Sequence, residues 1–126
     1  VFPVPSDYCI TVDNNADYQV FKYHKYQFLS DTTWLEFIIY AGRHPSPVYK
    51  EYKKEKSAAT LEKGTFLKKE IEWMVFDLKG QIIDKEQIFP AENISKDLSI
   101  HVVMLSNTKE YIDELTAIAE KFSLAE

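Results

Sequence analysis

Apolar and polar positions alternate along most of the chain, and only its last stretch shifts to helical spacing. Residues 8–12 (Tyr-Cys-Ile-Thr-Val) predict a short strand. It stops at Asp13-Asn14-Asn15, whose side chains bond their own backbone and favour turns. Residues 18–29 carry Tyr18, Val20, Phe21, Tyr23, Tyr26 and Phe28. Their alternation slips near 20–21, which predicts a β-bulge or a strand break. Residues 33–41 form the most apolar β run and are expected to be a central strand.

Gly42 ends that run, and Gly42-Arg43-His44-Pro45-Ser46-Pro47 reads as a loop. Ser46 and Pro47 also suit the start of a helix over 47–63 with Gly64 as its stop. The apolar content there is thin, so the expectation is mostly loop with some helix. Strand character resumes over 65–78, turns at Lys79-Gly80 and returns over 81–89, which predicts a hairpin closed by Pro90. Residues 98–105 form a further strand, with Leu98, Ile100, Val102 and Met104 on one face. A final helix is predicted over about 108–122. Asn107 and Glu110 have capping-box spacing, and Tyr111, Ile112, Leu115, Ile118, Ala119 and Phe122 form one apolar stripe. The expected fold is α+β: an antiparallel β-sheet packed by a C-terminal α-helix, one compact domain over residues 1–126.

Composition supports a globular core. Hydrophobic residues make up 45% of 126 and aromatics 14%, and no stretch approaches the length of a membrane span. The chain opens Val1-Phe2-Pro3-Val4-Pro5 without an initiator Met, which favours an exported, processed protein, periplasmic or secreted. Net charge is -5 but unevenly spread. Arg43 and seven Lys face only three Glu over residues 43–69, whereas both flanks are acidic. With a single Arg and a single Gly, that basic stretch makes a poor nucleic-acid surface.

Little catalytic chemistry is visible. His24, His44 and His101 lie far apart with no metal-ligand spacing, so neither a metal nor a cofactor is expected. Cys9 is alone and reads as a small core residue, which leaves no intrachain disulfide framework. No serine sits in a Gly-x-Ser-x-Gly elbow. Asp13-Asn14-Asn15-Ala16-Asp17 lacks the Gly and later Glu of a calcium-binding hand, and reads as a turn. Among the carboxylates, Glu36, between Leu35 and Phe37, has the most apolar sequence setting. Asn93-Ile94-Ser95 fits the acceptor pattern for N-glycosylation. The chain is therefore not expected to be an enzyme.

The suggestive segment is the loop after the most apolar strand. Two prolines limit its freedom, and preorganised loops lose less entropy on binding. Arg43, His44, Tyr49, Tyr52 and Lys53 are the expected partner contacts, since tyrosine and arginine anchor protein interfaces. The stretch from Trp73 to Phe122 runs strand, turn, strand, then Ser99-Ile100-His101-Val102-Val103 and a helix ending Ile118-Ala119-Glu120-Lys121-Phe122. In pattern this resembles the end of the PsbP-like α/β sandwich. The run from Ile39 to Ser46 also resembles small exported bacterial proteins. The resemblance implies a binding or assembly role and transfers no functional residue. Three function classes follow. The first is an exported binding protein acting on a protein partner, in its most concrete form an immunity or inhibitor protein that occludes a secreted toxin. The second is an assembly subunit of an envelope complex, including a homodimer through an exposed strand edge. The third is a small-molecule carrier or small enzyme whose site is built from distant residues.

Overall fold

Seven strands and one helix account for the apolar pattern. The computed structural model describes residues 2–52, 54–78 and 81–123. The strands are β1 (Tyr8–Asn14), β2 (Tyr18–Lys25), β3 (Leu35–Gly42), β4 (Thr60–Phe66), β5 (Lys69–Leu78), β6 (Ile82–Pro90) and β7 (Ser99–Ser106), followed by α1 (Lys109–Ala119). They form one antiparallel sheet in the order β1-β2-β3-β7-β6-β5-β4. Two meanders, β1–β3 and β4–β7, thus meet where β3 pairs with β7. The result is a single α+β domain, as the sequence pattern predicts.

Alternation sorts side chains onto two faces. One face carries Tyr23, Phe37, Ile39, Val102, Met104, Trp73 and Phe66, and α1 lies on it with Tyr111, Ile112, Leu115, Ile118 and Ala119 buried. Aromatic rings fill this layer, Phe122 packing against Phe2, Tyr23, Phe37 and Phe66. Lys25 ties the helix to the first hairpin. Its ammonium lies 2.6 Å from Glu114 and 3.2 Å from Asp7, and 5.1 Å from the ring centres of both Tyr8 and Tyr111.

Several boundaries differ from the sequence reading. The β1–β2 register is unbroken from Tyr8↔Lys25 to Asn14↔Gln19, so no bulge lies at 20–21. Val20 and Phe21 are both half-buried because each face of β2 is partly covered. The strand ends at Lys25, and Tyr26, Phe28 and Leu29 lie exposed beyond it. The 47–63 segment holds two short 3-10 turns, Val48–Tyr52 and Lys56–Ala58, and then becomes β4. Gly64 is no helix stop; it lies within β4, where a side chain would place its Cβ 2.6 Å from the Trp73 indole nitrogen. The helix is capped one residue later than expected. Thr108 Oγ1 accepts from the Tyr111 amide at 3.2 Å, while Asn107 bonds the Trp34 amide and the Thr32 carbonyl instead. The predicted Lys79-Gly80 turn lies outside the described residues, though β5 and β6 pair on either side of it as a hairpin.

Candidate functional site

After β3, in mid-sheet, the chain must reach β4 at the far edge. Residues 43–59 make that crossing over the face opposite α1, as a strap. Apolar packing holds its middle: Tyr49 joins Met74, Phe76 and Leu78, with Ala59 and Ile82 at the margin. The Tyr49 ring stacks on Phe76, centroids 4.7 Å apart and planes within 18°.

The middle of β6, which the strap crosses, carries three consecutive charged residues. Asp84, Lys85 and Glu86 are 0%, 3% and 0% exposed. Lys85 points to the helix face and reaches Glu62 at 3.3 Å. Asp84 and Glu86 point to the strap face, beside His101 of β7. His101 Nε2 lies 2.8 Å from Glu86 Oε1 and donates to it. The same carboxylate accepts the consecutive amides of Val48 (3.1 Å) and Tyr49 (3.2 Å). Glu86 therefore bonds the first turn of the strap to the sheet through backbone amides that any residue but proline would present.

The two acids carry different charges. Burial, then the neighbouring Glu86 carboxylate and the more distant Glu51, push Asp84 up to about 10, so it is a neutral acid at pH 7. Burial would push Glu86 up as well. The His101 hydrogen bond, the neighbouring Asp84 carboxyl, the His101 charge and the Val48 amide outweigh it and hold Glu86 below its ordinary value. One proton on the pair relieves the repulsion of two adjacent buried carboxylates. The Tyr49 hydroxyl is raised by burial and then by these two acids.

The strap's ends are held too. Tyr40 Oη accepts the His44 amide at 3.1 Å and stacks on Tyr18, and Arg43 Nη2 donates to the Lys96 carbonyl at 3.2 Å. Gly42 is required where Tyr40 folds back: a Cβ there would collide with the Tyr40 ring and lie 2.8 Å from Tyr18 Cβ.

Of the predicted contact residues, Arg43, His44 and Tyr52 are exposed on this strap, Tyr52 by 39%. Tyr49 is a correction. At 6% exposure its ring belongs to the core beneath the strap and cannot anchor a partner from the surface. Lys53 lies outside the described residues. Lys50 and Lys54, also exposed, extend the basic surface. Glu36 is exposed, because the strap leaves its end of the face uncovered. The buried acids escaped the sequence reading although a signal was present: three charges in a row inside an apolar β run can be solvated on neither face of a central strand.

A concave feature lies on the other face, beyond the C-terminal end of α1. It is a cleft of about 260 Å³ lined by Phe2, Phe21, Ile39, Phe66, Ile100 and Phe122, with Gln19 and Ser123 its polar members. Among the described residues no group of three or more His, Cys, Asp or Glu is placed to hold a metal ion. No described helix is long and apolar enough to cross a membrane. No protein-family model, curated protein or solved structure matches the chain.

Proposed function

We propose that the protein is an exported, non-enzymatic binding protein that docks a protein partner through the outer surface of the 43–59 strap, in its most concrete form an inhibitor or immunity protein occluding a secreted toxin. One observation carries this reading: the Glu86 carboxylate grips two consecutive strap amides while Tyr49 is stacked below. The segment therefore presents Arg43, His44, Lys50 and Tyr52 on a preformed surface, and little entropy is lost when a partner settles on it. The basic strap favours an acidic epitope. The PsbP-like pattern points the same way, towards binding rather than catalysis.

The test is capture from the envelope and secreted fractions of the source organism with the wild-type protein and with an Arg43→Ala/Tyr52→Ala variant. The expected result is a stoichiometric partner whose activity the wild type silences. The variant, whose thermal midpoint should fall only slightly because the Arg43–Lys96 bond is exposed, should bind it at least ~10-fold more weakly, as loss of two interface anchors predicts. Equal binding by the variant would remove the strap from the interface.

The cleft beside α1 favours a second reading, a carrier of a small apolar molecule, because its walls are almost wholly apolar. Saturable enhancement of an apolar fluorophore, abolished by Ile100→Trp in a variant that keeps a normal unfolding transition, would support it.

A further inference from the structure

The sheet has two edges, and they are built differently. At the β4 edge, the Thr65 amide is already taken by Glu120 at 3.2 Å, and Glu62 is tied to Lys85. Self-pairing centred on Lys63, mid-strand, would set Lys63 against its own copy. Charge and occupied donors guard that edge.

The β1 edge is guarded less, with Asp13 its one charge and the Tyr8 amide taken at its first residue. The Tyr26 amide donates to the Asp7 carbonyl and the Asn15 amide to the Tyr18 carbonyl, one at each end of the β1–β2 ladder. Bonded pairs alternate along an antiparallel ladder, so Cys9, Thr11 and Asp13 bond to β2. Ile10, Val12 and Asn14 then turn both backbone groups outward. Tyr8 turns out only its carbonyl, since its amide is held by Pro5. No Lys, Pro or bulge interrupts residues 8–14, and Val12 is 47% exposed.

We propose that β1 pairs antiparallel with β1 of a second copy of this chain, about a two-fold axis at Thr11. In this register every outward residue meets another: Ile10 faces the partner's Val12, and Tyr8 faces the partner's Asn14. Registers centred on Ile10 or Val12 leave an outward residue without a mate. On the helix face, the exposed Val12 gains an apolar neighbour. On the strap face, Thr11 meets Thr11 in the closer, non-bonded type of pair, and Asp13 meets Cys9 rather than another acid. No like charges are opposed. The strap packs over β5 and β6, at the other side of the sheet, so the dimer leaves it free and does not depend on its role.

Sedimentation velocity from micromolar to submillimolar concentration tests the pairing, together with disulfide trapping in a Cys9→Ser background. A reversible monomer–dimer equilibrium is expected. Val12→Lys should shift it to monomer with an unchanged thermal midpoint. Thr11→Cys should cross-link under mild oxidant, and Asp17→Cys, in the β1–β2 turn, should not. A wild type that stays monomeric throughout overturns the proposal. So does a dimer that survives Val12→Lys, or cross-linking as efficient at Asp17→Cys as at Thr11→Cys.

Discussion

Asp84 and Glu86 sit two residues apart on one strand and face, yet the fold asks opposite things of them. Glu86 must be charged to hold the Val48 and Tyr49 amides and His101, whereas Asp84 must be neutral beside it. The pH dependence follows with opposite signs. Asp84 has its folded-state value raised from 3.8 to about 10, so its contribution is complete below the lower value and is lost as pH rises through that window. Glu86 has its value lowered, so its contribution is present above the ordinary carboxylate range and is lost as pH falls through its folded value. Asp84→Asn keeps the shape and removes the ionisation. In chemical denaturation it should gain on the order of 2 kcal/mol over wild type at pH 8, a gain that vanishes near pH 4. A constant difference across that range would show that Asp84 is not the neutral partner.

At the scale of elements, legibility tracked how local each cause is. α1 was readable because its apolar stripe lies in contiguous residues and needs only one surface to pack on. Its cap was misplaced because Asn107 and Thr108 are both good caps, and the choice falls to Asn107's long-range bonds to Trp34 and Thr32. β4 was hidden because its outer edge is unpaired and most of its side chains are exposed. The turn that would have announced the β4–β5 hairpin also has unusual residues. Leu67 and Lys68 occupy left-handed backbone, φ 51° and 64°, where Asn-Gly is the common choice. Leu67 offsets that strain by packing on the core, while Lys68 is exposed. Lys68→Gly should therefore stabilise by about 0.5–1 kcal/mol, read by thermal or chemical unfolding, and Leu67→Gly should not. The strap was legible as a loop with prolines, but its anchor in β6 was not, because the partners are separated by almost forty residues of chain.

Taken whole, the molecule is one sheet with two unlike covers: a helix that buries an aromatic layer, and a strap that buries ionisable groups with a smaller apolar cluster. The helix rests on β7, β3 and β6 and the strap on β5 and β6, so β6 lies beneath both covers and loss of either exposes one of its faces. Leu115, on α1, is fully buried against the sheet. Leu115→Asp should abolish cooperative folding altogether, because a charge there is both buried and unpaired. The buried-indole fluorescence of Trp73 on the helix face and the protection of the Tyr49 amide from exchange on the strap face should be lost together. Retained protection at Tyr49 would mean that the two layers fold independently.

The meeting of β3 with β7 also dictates the order in which the protein can be made. During synthesis the β1–β3 meander is complete long before β7 emerges, and contacts of such sequence separation form late. Until then β3, whose Phe37 and Ile39 end up in the core, has a bare edge. β4, β5 and β6 are all translated during that wait. A strand interior to the finished sheet thus spends synthesis as an open, aggregation-prone edge, and a chaperone acting before residue 99 would find a substrate there.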